Sequence, residues 1–204
     1  MITGLTTVTM VVVKNKFQLV SCNFLMIIFI SVSDYPNTIL IQQRLRRFTL
    51  AFNQSWTAYK AGFNDIDGTM WIGNEMLHNL TKDGDYQLRV EIQESATSIW
   101  HCYLYDQFIV DNETSGYQLH ISGYLGPPGE DAFGRRDGQK FTTFDSAKNE
   151  ESLLFMGGFW HKGRAIAVIN GGGASDLFYF SWLFKSGQIS LRTSRLLLQQ
   201  RARQ

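Results

Sequence analysis

The sequence predicts an α+β domain with a central twisted antiparallel sheet, a few short helices and a loop-rich C-terminal half. Three observations carry this. Tyr86 to Gln93 alternates as a strand does, with Tyr86, Leu88, Val90 and Ile92 on one face. Residues 98–124 hold two more strand candidates, SIWHCYLYDQFIV and GYQLHISGY, separated only by the Asp111 to Gly116 turn, and such short polar connections favour antiparallel pairing. After Tyr124 glycine, proline and aspartate punctuate the chain, as expected of loops.

The other elements follow in order. Residues 1–37 form a divergent N-terminal segment. Its apolar run FQLVSCNFLMIIFISV, Phe17 to Val32, follows Lys14 and Lys16 and has two readings, the core of a signal peptide or a buried strand pair of a degenerate N-terminal subdomain. Ser21, Cys22 and Asn23 interrupt it, and it is shorter than the ~20 apolar residues of a membrane span, so none is expected. Residues 38–204 form the main domain. Within it TILIQQRLRR reads as a strand entering a basic turn. Ser55 caps a short helix carrying Trp56, Tyr59 and Lys60, which Gly62 stops. Asn74 to Leu80 reads as a second short helix, and FYFSWLF with QISLRTSRLLL as a final strand pair.

Composition narrows the function. Lys and Arg number 19 against 18 Asp and Glu, so no global field favours nucleic acid. The two cysteines, Cys22 and Cys102, supply neither a disulfide framework nor a metal cluster, and both are read as free thiols acting as small apolar residues. Asn53-Gln-Ser55, Asn79-Leu-Thr81 and Asn112-Glu-Thr114 are glycan acceptors in a secreted chain.

Glu75 and His78 stand three apart and share one face of a helical turn, the one arrangement that invites an acid/base reading. No second histidine follows at zinc-protease spacing and no third partner completes a catalytic geometry, so no catalytic residue is assigned. Gly126-Pro-Pro-Gly129 lacks collagen's period and is a turn, and Gly171-Gly-Gly173 lacks the Lys-Ser or Lys-Thr of a phosphate loop.

The succession ILIQQR, WTAYKAGF, WIGNEMLHNLT, YQLRVEI, YDQFIV, GYLGPPGEDA, FTTFD, GGFWH and ISLRT, from about Ile39 to Leu198, resembles the fibrinogen C-terminal domain family. The W-x-G-N-E-x-x-H-x-L-T block is among its most specific signatures. The resemblance implies that this block is a structural helix under an antiparallel sheet, with Glu75 and His78 as hydrogen-bonded scaffold groups. It implies a secreted, non-enzymatic recognition domain. Its partner would be a glycan with acetyl groups, a cell-surface receptor or a matrix protein, bound from a homo-oligomer.

The resemblance also places a calcium loop after FTTFD and a shallow ligand pocket beside it. Asp145 stands at the first ligand position, Ala147 replaces the expected second carboxylate, Lys148 adds a positive charge, and Asn149 with Glu150 offers further oxygens. The family's pocket disulfide has no counterpart, since Glu151 or Ser152 and Arg164 stand where its cysteines would, with Ala165 in place of a following histidine. Trp160, His161, Phe178 and Tyr179 remain as pocket residues, the first two as aromatic walls for a sugar face or an acetyl methyl. The alternative implied by these losses is a structural or interaction protein whose ligand pocket has lapsed.

Overall fold

The computed structural model describes residues 38–45, 52–146, 150–163, 167–171, 181–184 and 187–201. Strand β1 (Thr38–Leu45) leads to helix α1 (Trp56–Ala61), the two-residue strands β2 (Phe63–Asn64) and β3 (Met70–Trp71), and helix α2 (Asn74–Thr81). Three longer strands come next, β4 (Tyr86–Glu94), β5 (Trp100–Val110) and β6 (Leu119–Leu125). The loop-built half contributes helix α3 (Glu150–Phe155), β7 (Ala167–Val168), β8 (Ser181–Phe184) and β9 (Gly187–Gln200). The signal-peptide and strand-pair readings of residues 1–37 lie outside the described residues.

Among the described residues the strands form one sheet in the order β2-β3-β1-β9-β4-β5-β6, with β8 on the early part of β9 and β7 on β8. All these pairings are antiparallel. The hairpins β4-β5 and β5-β6 are those the turn chemistry predicts. The placement of β9 is not: the C-terminal strand enters the middle of the sheet, with Leu198 opposite both Ile39 of β1 and Leu88 of β4. Its Leu196, Leu197 and Leu198 are all buried, the continuous apolar run of a strand covered on both faces.

Helix α1 begins and ends as local sequence dictates. The Ser55 hydroxyl accepts from the Ala58 amide at 3.3 Å, and Gly62 closes α1 at φ +91°, where a Cβ would lie 2.6 Å from the Ile72 carbonyl oxygen. An aromatic core fills the space between the helices and the sheet, with Tyr59, Trp71, Phe108, Phe133, Phe141, Phe159, Trp160 and Trp182 buried. Its rings meet mostly tilted or edge to face, as in the Phe141–Trp160 pair at 5.1 Å and 88°.

The outer face of the sheet carries a group of charged side chains on β4 and β9. Glu91 is buried there between Arg89 at 2.7 Å and Arg195 at 3.2 Å, and the Arg195 guanidinium lies 4.5 Å from the centre of the Trp100 ring. Cys102 corrects the free-thiol expectation, because it is disulfide-bonded. On β5 it alternates with the buried Tyr103 and Tyr105, so it faces away from the aromatic core, and the Arg89 guanidinium approaches its sulfur at 3.5 Å. The chain's other cysteine, Cys22, lies outside the described residues.

Candidate functional site

The site region begins at the N-terminus of α1. The Trp56 amide donates to both oxygens of Asp145, at 2.9 and 3.2 Å, and the Thr143 hydroxyl donates to the same carboxylate at 2.7 Å. Burial works to raise the Asp145 pKa, but these hydrogen bonds outweigh it and hold it below the ordinary carboxyl value. On the other side of the helix the Trp56 indole donates to Glu113 at 2.9 Å, and Lys60 pairs with the same carboxylate. Asp145 and Glu113 thereby anchor a six-residue helix that on its own is too short to persist in water.

Of Asp145 and Asn149, the expected calcium ligands, only Asp145 lies among the described residues. Calcium takes six to eight oxygens, several of them charged. Asp145 is already engaged by α1, and among the described residues no three His, Cys, Asp or Glu side chains converge. Ala147 and Asn149 lie outside the described residues, as do the pocket residues Phe178 and Tyr179.

Trp160 and His161 are placed differently from their expected role. Trp160 is fully buried, packs against Trp71, Phe108 and Phe141, and donates its indole N–H to the Tyr117 carbonyl at 2.7 Å. A wall for a sugar face needs an accessible ring, so Trp160 is a core residue here. His161 is buried beside Phe155 and Phe159, with Nε2 2.9 Å from the Gly157 carbonyl. Burial, aided by the nearby Arg136 charge, pushes its pKa down to about 4 despite that hydrogen bond.

The glycine pair before Phe159 is explained by contact. A Cβ on Gly158 would stand 2.5 Å from the Tyr59 ring, where the Gly158 amide meets the Tyr59 hydroxyl. Two buried arginines secure the surrounding loops. Arg136 donates to the carbonyls of Trp160 at 2.7 Å and Ala167 at 2.6 Å, and Arg44 donates to that of Gly171. Burial lowers the Arg136 pKa to about 10, which leaves the guanidinium charged at neutral pH.

Glu75 and His78 are bonded to separate partners. Tyr117 donates its hydroxyl to Glu75 at 2.8 Å, and His78 Nδ1 lies 2.9 Å from the Val110 carbonyl. These contacts tie α2 to β5 and to the turn after it, the scaffold role the resemblance implies. The sequon residues Asn53, Asn79 and Asn112 are all exposed.

Sequence reasoning missed α3, whose outer side is apolar: Leu153 is 55% exposed, Leu154 60% and Met156 40%. The signal was present in EESLLFM, an acidic first turn followed by four apolar residues, but it was absorbed into the loop-built half. Met156 ends α3 at φ +53°, a conformation unusual for a side-chain-bearing residue.

A sheet closed by its own C-terminal strand, two short helices on an aromatic core and a loop-built half beside them define a fibrinogen-like globe. The chain belongs to the family described as fibrinogen beta and gamma chains, C-terminal globular domain, whose model matches residues 11–199. It is 33% identical over 172 residues to human angiopoietin-4 and 32% over 159 residues to the Drosophila melanogaster protein scabrous, covering 76% and 75% of this chain. The same alignments cover only 33% and 20% of those two proteins. The fibrinogen-like globe domain of human ANGPTL6 superposes with a TM-score of 0.71 at 28% identity, covering 80% of this chain and 78% of that one.

Proposed function

We propose that the chain is an extracellular, non-enzymatic recognition module whose partner is a cell-surface or matrix protein. The domain occurs in extracellular proteins such as angiopoietin-4 and scabrous, which supports the setting. The observation that carries the choice of partner is the exchange of surfaces in the loop-built half. Trp160 and His161 are withdrawn into the core, while Leu153, Leu154 and Met156 stand out. Exposed apolar side chains grouped on one short element suit a protein interface better than a sugar, which needs polar groups converging in a concavity. In this reading the acetyl-sugar pocket has lapsed and the loop closes without calcium, Asp145 serving as an anchor for α1. Among the described residues no helix is long and apolar enough to cross a membrane.

The test is saturable binding of the purified chain to cultured cells and to deposited matrix. Binding that survives an excess of N-acetylated sugars and calcium chelation, is lost after mild protease treatment of the cells, and weakens in Leu154→Asp supports the protein reading. Competition by N-acetylated sugars would restore the glycan reading.

A further inference from the structure

The three sequons, far apart in sequence, lie on or beside elements that contact one another. Asn53 lies just before the Ser55 cap of α1, Asn79 is on the exposed side of α2, and Asn112 caps the 3₁₀ turn Glu113–Ser115. These elements are directly joined. Glu113 of the turn holds Trp56 and Lys60 of α1, Tyr117 after the turn holds Glu75 of α2, and the Trp56 and Tyr117 rings stand 5.5 Å apart.

We infer that Asn53, Asn79 and Asn112 carry N-linked oligosaccharides that cover the α1–α2 face, which is then a shielded surface and no docking site. The inference rests on the extracellular reading above. In the transfer the asparagine Nδ2 bonds to C1 of a polyprenyl-pyrophosphate-linked oligosaccharide, the C1–O bond to pyrophosphate breaks, the lipid pyrophosphate departs, and Nδ2 loses one proton. The folded geometry accepts the product. Asn112 uses its Oδ1, accepting from Ser115 N at 3.1 Å and the Thr114 hydroxyl at 2.7 Å, which leaves Nδ2 outside those bonds. Asn79 donates Nδ2 to the Glu75 carbonyl at 3.0 Å, and a glycosylated amide keeps one N–H for that bond.

The structure also orders modification and folding at Asn79. The Thr81 hydroxyl, which the transferase must read, is fully buried, donating to the Leu77 carbonyl at 2.8 Å and accepting from the Val110 amide at 3.0 Å. Asn79 is therefore modified before Val110 docks on α2, whereas Thr114 stays exposed in the folded chain.

The experiment expresses the full chain behind a secretion leader in cultured animal cells, and maps peptides before and after peptide N-glycosidase. The expected result is conversion of all three asparagines to aspartate, with one mass step lost in each of Asn53→Gln, Asn79→Gln and Thr114→Ala, the last of which leaves the Asn112 cap in place. Oxidation by chloramine-T then reads coverage, because Met76, 50% exposed, lies three residues before Asn79 on α2. Met76 should oxidise several-fold faster in Asn79→Gln than in the parent, with Met156 unchanged. A secreted chain without glycans overturns the sites and leaves the extracellular reading standing. Full occupancy with equal Met76 rates overturns the shielding. Loss of cell binding with all sites occupied would overturn the proposed function alone.

Discussion

The Tyr59 hydroxyl accepts from the Gly158 amide at 3.0 Å and donates to the Phe52 carbonyl at 2.7 Å, so one phenol in α1 holds a residue 99 positions further along the chain. The ring is fully buried, and burial raises its pKa far above the ordinary phenol value, so the hydroxyl stays protonated and keeps both roles. Tyr59→Phe leaves a buried N–H and a buried carbonyl unpaired. The expected loss is about 1–3 kcal/mol in urea unfolding, with the loop around Gly158 exchanging its amides fastest.

Asp145→Ala removes the acceptor for the Trp56 amide at the start of α1. Because Asp145 is exposed, the expected cost lies toward the lower end of the about 0.5–2 kcal/mol typical of helix caps. Thermal melting of parent and variant should be the same in calcium and in chelator. A calcium-dependent rise in the parent alone would mean that Asp145 leaves α1 for the metal.

His161 makes stability fall on acidification. Its folded pKa of about 4 lies below the ~6.5 of an unfolded histidine, so the folded state binds the proton less well. Its contribution is fully present above pH ~6.5 and is lost as the pH falls toward 4. The integrated effect is about 3 kcal/mol. Urea midpoints measured between pH 7 and 4 should decline less in His161→Gln, which has no proton to take up.

Glu91→Ala would remove the buried carboxylate that Arg89 and Arg195 share. Breaking a buried pair from one side costs about 3–5 kcal/mol, so this variant should melt well below the parent although it touches no part of the candidate interface.

What the sequence disclosed was what neighbours in the chain decide. Ser55 and Gly62 bounded α1 correctly, because a cap and a positive φ are properties of a few adjacent residues. The alternation of β4 and the turn between β5 and β6 disclosed their pairing in the same way. The position of β9 depends on partners more than a hundred residues distant, and only the run Leu196 to Leu198 hinted at a strand buried on both faces. Trp160 shows the limit for the site. An indole among glycines looks like a pocket wall, and only the surrounding Trp71, Phe108 and Phe141 make it a core residue. Cys102 shows a related limit, since a strand position alternates between faces and the free-thiol reading did not ask which one it takes.

The central place of β9 fixes a timetable. A ribosome releases β4 and β5 well before the strand that must lie beside β4, so the sheet stays incomplete while roughly a hundred further residues are made. At about 5–20 residues per second this interval lasts about 5–20 s. During it β5, whose Val110 amide locks the Thr81 hydroxyl, lacks the finished sheet that holds it in place, so in a secreted chain the transferase would have that long to reach Asn79. Slowing translation in this stretch should raise occupancy at Asn79 and leave Asn112, whose threonine never becomes hidden, unchanged.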